Sequence, residues 1–88
     1  MPRDIHRTTY PVATLEDDSW PIRPGSVGVD TPHGIVVAYS PAGLTAPYTN
    51  LRLVHNGAVH VGQLNEHRSP SELARLARRF ASEVARLP

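Results

Sequence analysis

Apolar positions recur with period two through the middle of the chain and with the helical period near its end. Ser26-Val27-Gly28-Val29-Asp30 alternates, which places Val27 and Val29 on one face of a strand. Ile35-Val36-Val37-Ala38-Tyr39-Ser40 is almost wholly apolar and predicts a central strand covered on both faces. Between them, Thr31-Pro32-His33-Gly34 has proline at the second position of a turn and glycine at its last. A loop is expected from Pro41 to Pro47. Tyr48 to His55 and Ala58 to Leu64 flank Asn56-Gly57, the pair preferred in a two-residue type I′ turn because both central residues need positive φ. That turn sets the register: His55 opposite Ala58, Val54 opposite Val59, Leu53 opposite His60, Arg52 opposite Val61. One face then carries Leu51, Leu53, His55, Ala58, His60 and Leu64, and the other Arg52, Val54, Val59 and Val61.

The period changes at Ser69-Pro70-Ser71-Glu72. Serine at the N-cap, proline at the first helical position and glutamate three residues after the cap form a capping box. A helix is expected over 70–86, with Leu73, Leu76, Ala77, Phe80, Val84 and Leu87 as its buried stripe. Residues 1–24 are irregular and punctuated by Pro2, Pro11, Pro21 and Pro24. One strand is expected there, at Thr8 to Ala13, and Pro11 makes it an edge strand. The fold class is α+β: an antiparallel β-meander of four to five strands over 25–64, then one C-terminal amphipathic helix packed on the sheet. Residues 25–88 form the α+β part and 1–24 a proline-rich N-terminal segment, in one domain overall.

Composition narrows the chemistry. Eighty-eight residues have room for one modest core, and a small core favours self-association. There is no cysteine, which excludes disulfides, thiolate metal sites and a cysteine nucleophile. The formal net charge is +1, so no strong overall field draws the chain to nucleic acid or to an anionic membrane. All nine basic residues are arginine, a bias of GC-rich coding that gives the chain a bacterial or phage-like composition. No apolar run approaches the roughly 20 residues of a membrane span, and Met1 to Arg7 lacks the apolar stretch of a secretory signal. A cytoplasmic protein is expected.

Several groups are candidates for function. Arg75, Arg78, Arg79 and Arg86 fall in one stripe of the helix, with Arg52 and Arg68 as outlying additions, and guanidinium groups suit phosphates. No aromatic side chains are interleaved to stack on bases, and Arg79–Glu83 is an ordinary i, i+4 pair. Nucleic acid is therefore the second reading. Ala74, Ala77, Ala81 and Ala85 form a strip of small residues that would let another backbone approach; Ala74, Ala81 and Ala85 are the candidate dimer contacts. Trp20, with Ile22 and Arg23 beside it, is the candidate hot spot for a protein partner. His55 and His60 share a sheet face, and His33 or His67 would have to complete a metal site; no ligand spacing supports one. The Glu16-Asp17-Asp18 run lacks the alternation of a calcium loop. No catalytic triad or phosphate-cradling glycine loop is legible. The expectation is a small non-enzymatic accessory or regulatory protein, without a cofactor, acting through protein contacts as a homodimer. The alternatives are a nucleic-acid-binding module and, more remotely, a histidine-based metal site or hydrolase.

Overall fold

The computed structural model describes residues 6–11 and 24–87. Five strands form one antiparallel sheet: β1 (His6–Pro11), β2 (Val27–Thr31), β3 (Gly34–Tyr39), β4 (Thr49–His55) and β5 (Ala58–Leu64). One helix, α1 (Pro70–Ala85), follows. The strand order is β1-β5-β4-β3-β2. β2 to β5 are the expected meander. β1 joins out of sequence, at the far edge beside β5, with Pro11 opposite Ala58 and His6 opposite Gln63. The edge position suits a strand that contains proline, which has no N–H to give to a second neighbour. Val12 and Ala13, expected in this strand, lie outside the described residues.

Local chemistry accounts for both tight turns. Asn56 and Gly57 take φ of 50° and 74°, as a two-residue turn matched to strand twist requires. The β4–β5 register is the one the sequence predicts, from His55–Ala58 through Arg52–Val61. At the β2–β3 turn, the Thr31 hydroxyl accepts from the His33 N–H at 3.1 Å and lies 2.6 Å from the Gly34 carbonyl. Gly34 itself has φ of 124°, and a Cβ there would stand 3.3 Å from a Leu53 methyl. Both the backbone angle and the space therefore call for glycine.

Two expectations are corrected. β3 is an interior strand, between β4 and β2, as expected, but among the described residues only its face toward α1 is covered. Val36 and Ala38 are fully buried under the helix, whereas Ile35, on the opposite face, is 59% exposed. A run of apolar residues does not distinguish a strand with two covered faces from one with an uncovered apolar face. The second correction concerns the helix. Its buried residues are Leu73, Ala77, Phe80, Ala81 and Val84; Leu76 only flanks the core and Leu87 is exposed. The helix is thus rolled about 30° from the expected stripe toward the alanines, at 100° per residue. Ala77, Ala81 and Phe80 of the helix and Ala38 of β3 are all fully buried in one cluster. The core consists of those helical residues with Val29, Val36, Ala38, Leu51 and Leu53 from β2, β3 and β4, the three strands under α1.

The start of α1 is built as the sequence indicates. Ser69 is the N-cap, its hydroxyl accepts from the Glu72 N–H, and Glu72 Oε1 accepts from the Ser69 N–H at 3.1 Å and from its hydroxyl at 2.8 Å. These bonds stabilise the ionised carboxylate and lower the Glu72 pKa from its ordinary value, with a smaller contribution from the charges of Arg68 and Arg75. A second polar cluster, at the other end of β4 from the Asn56-Gly57 turn, ties the helix entry to the sheet. Thr49 is fully buried, and its Oγ1 lies 2.7 Å from the Glu66 carbonyl and 2.8 Å from Ser40 Oγ. Ser40 Oγ also accepts from the Arg68 N–H at 2.8 Å. Three separate segments meet on two hydroxyls. No helix among the described residues is long and apolar enough to cross a membrane.

Thr49→Val keeps the shape of the side chain but removes the buried hydroxyl that meets the Glu66 carbonyl and Ser40. It should cost about 1–3 kcal/mol in urea unfolding, the range for a lost buried hydrogen-bonding partner. The Glu72 contribution follows the carboxylate pattern for a depressed folded-state pKa: present in full above the unfolded value and lost as pH falls through the folded value. Stability measured from neutral to acid pH should therefore fall for the native chain, with a smaller drop over the glutamate range for Glu72→Gln, which keeps the cap but does not titrate.

Candidate functional site

The two sheet faces differ in what covers them. On the face away from α1, cross-strand pairing sets Val37 beside Arg52 and Arg52 beside Val61, and sets Val54 beside Val59. Carrying the β3–β4 register two residues further puts Ile35 next to Val54. Two adjacent rows result, Ile35-Val54-Val59 and Val37-Arg52-Val61, with five β-branched apolar side chains around one arginine. Val59 is buried, whereas Ile35 and Val54 are 59% and 47% exposed. Arg52 is half-buried, and its Nε is fully enclosed with no hydrogen-bond partner. This face was missed as a contact surface in the sequence. Its signal was the apolar run of β3, which pointed to burial on both sides.

The arginine stripe is exposed at Arg75, Arg78, Arg79 and Arg86. Arg79 Nε lies 3.6 Å from Glu83 Oε1, the ion pair that the i, i+4 spacing implies. Arg68, from the loop before α1, lies 2.6 Å from Glu66 Oε1 through its Nη1. Arg68, Arg75 and Arg79 come together with Glu72 and Leu76 around an open groove of about 300 Å³. Arg78 and Arg86 do not line it. Within the alanine strip Ala81 is fully buried in the core, whereas Ala74 packs at the core edge and Ala85 is half-buried. Trp20, Ile22 and Arg23 lie outside the described residues.

The histidines are dispersed. His55 and His60 share a face, but the His55 ring meets His33 edge-on, with centroids 6.1 Å apart. His67 is at the opposite end of β4, where Nδ1 lies 3.1 Å from Ser40 Oγ. Among the described residues no group of three or more histidine, aspartate or glutamate side chains is gathered as metal ligands. The Ser40–His67 contact has the distance of a nucleophile and its base. Ser40 Oγ accepts from the Arg68 N–H, and its own single proton has the Tyr48 carbonyl at 3.5 Å, Thr49 Oγ1 at 2.8 Å and His67 Nδ1 at 3.1 Å within reach. This cluster joins residues far apart in sequence, and its only local sign was a threonine on the core face of β4.

Comparison with family models, curated proteins and solved structures finds no match. The functional reading rests on the geometry of this chain.

Arg52 offers a direct check on the apolar face. Arg52→Met keeps the length of the side chain and removes the enclosed, unpartnered Nε. Thermal unfolding should show an unchanged or higher midpoint, by up to about 4–8 °C if 1 kcal/mol is recovered.

Proposed function

We propose that this chain is a small accessory or regulatory protein, not an enzyme, that acts through protein contacts and pairs with a second copy of itself. The observation that carries the reading is the apolar sheet face. A two-layer α/β unit hides one face of its sheet, and here the other face carries Ile35, Val37, Val54, Val59 and Val61, with Ile35 and Val54 exposed beside each other. A second sheet laid on this one would bury Ile35 and Val54, at about 10 Å separation and an angle near 30°. A two-fold axis would place the same patch on both sides of the contact. The surface assigned to the dimer is thus the outer face of β3 and β4 rather than the alanine strip.

Nucleic-acid binding is the second reading. It is favoured by the exposure of Arg75, Arg78, Arg79 and Arg86 along one helix, and weighed down by the Arg79–Glu83 pair and the low net charge.

Sedimentation of the full chain over a range of concentrations tests the dimer. The native chain should sediment at twice 9.6 kDa. Ile35→Asp combined with Val54→Asp should weaken the association by a factor of a hundred or more, on the order of the cost of an uncompensated buried charge. Far-UV circular dichroism should be unchanged, since both positions are exposed in the single chain. A native chain that remains monomeric at the highest concentration overturns the proposal.

A further inference from the structure

We propose that the groove between α1 and the loop leading into it binds a phosphate monoester carried on a small apolar group. The groove lies on the helix, away from the outer sheet face, and the inference does not depend on the dimer. Its volume of about 300 Å³ is at the lower end of small-molecule pockets. The lining holds three guanidinium groups, from Arg68, Arg75 and Arg79, and one carboxylate, from Glu72, while Glu66 and Glu83 pair with Arg68 and Arg79 from outside the lining, so the donors on offer rather than a net charge are what an anion would meet. A phosphate monoester carries between one and two negative charges at neutral pH and three strong acceptor oxygens.

The arginines are held without being used up. Arg68 is anchored through Nη1, to Glu66 Oε1 at 2.6 Å and the His67 carbonyl at 3.2 Å, and Arg79 through Nε to Glu83. A guanidinium has five N–H donors, so each keeps further donors for a ligand while its partner restricts its orientation. Arg75 stands four residues before Arg79, on the same helix face; its charge acts on Glu72 through space, and among the described residues it makes no hydrogen bond or close ion pair. It is the one lining arginine with its whole fork free, and planar forks match phosphate oxygens two at a time. Glu72 would repel an anion, but its Oε1 is committed to the Ser69 N–H and hydroxyl at the helix cap. Leu76, half-buried at the core margin, supplies an apolar wall for the ester group. The wall and the limited volume favour a compact ester over an extended polyanion, which would use Arg78 and Arg86 as well.

Backbone amide NMR titration of the full chain tests this, with phenyl phosphate, inorganic phosphate and a single-stranded oligodeoxynucleotide as separate probes. Phenyl phosphate should shift the signals of residues 68–79 saturably. Arg75→Gln should weaken it about tenfold, the loss of one charge-assisted pair, and Arg78→Gln should leave it unchanged. Glu72→Gln, which retains the cap, should tighten it. Inorganic phosphate should bind in the same place more weakly. No saturable shift, or equal affinity in Arg75→Gln, overturns the site. Equal affinity for inorganic phosphate overturns the monoester assignment. Tighter binding of the oligonucleotide, lost equally in Arg75→Gln, Arg78→Gln and Arg86→Gln, overturns the groove in favour of the whole stripe.

Discussion

The approach of α1 to the sheet governs the rest of the molecule. A helix with leucine at every inward position would stand off by the length of those side chains. Here Ala77 and Ala81 on the helix and Ala38 on the sheet are all fully buried in one cluster. Phe80 and Val84 belong to it with Val36, Leu51 and Leu53, and each is enclosed. Interiors are packed to crystal-like density, so a close fit at three alanines and one phenylalanine leaves little freedom in helix roll or position. The roll in turn decides which residues remain outside: the arginines, Leu76 at the margin, and the opposite face of the sheet.

Both candidate surfaces follow from that placement. One helix covers one face of three strands, so a sheet that is apolar on both sides keeps Ile35 and Val54 in contact with water. The roll toward the alanines lifts Leu76 to the core edge, next to Arg75 and Arg79, while the capping box holds Glu72 and the Glu66 pair holds Arg68. The groove is a by-product of a well-capped helix entry. Its charges are positioned by interactions that also fix the start of α1.

Much of the fold was legible because it is written in local chemistry. Asn56-Gly57 admits essentially one hairpin register, and Ser69-Pro70-Ser71-Glu72 one helix start; both are as the residues indicate. What was illegible depends on contacts distant in sequence. The pairing of β1 with β5 joins the beginning of the chain to Ala58–Leu64, and nothing in either segment names the other. The roll of α1 differs from the expected one because periodicity weighs leucine above alanine, whereas Ala77 and Ala81 are fully buried and Leu76 only flanks the core. Ser40, Thr49 and His67 meet across 27 residues, so their cluster has no spacing to recognise. Of the surfaces, the arginine stripe could be read from helical geometry, but the groove required the place of Arg68, and the apolar face required knowing where the helix lies.

The strand order also bears on how the chain comes to be folded. The β4–β5 hairpin closes over two residues and can form within microseconds of its strands meeting. β1 is made first but has its only described neighbour in β5, roughly fifty positions later, and the core lacks one wall until α1 is complete. During synthesis β1 must therefore wait for β5 and α1. Loop-closure entropy makes such pairings slow. Folding of this sheet is correspondingly completed only after α1 has emerged, and the interval before it is when the apolar strands are most open to association with other chains.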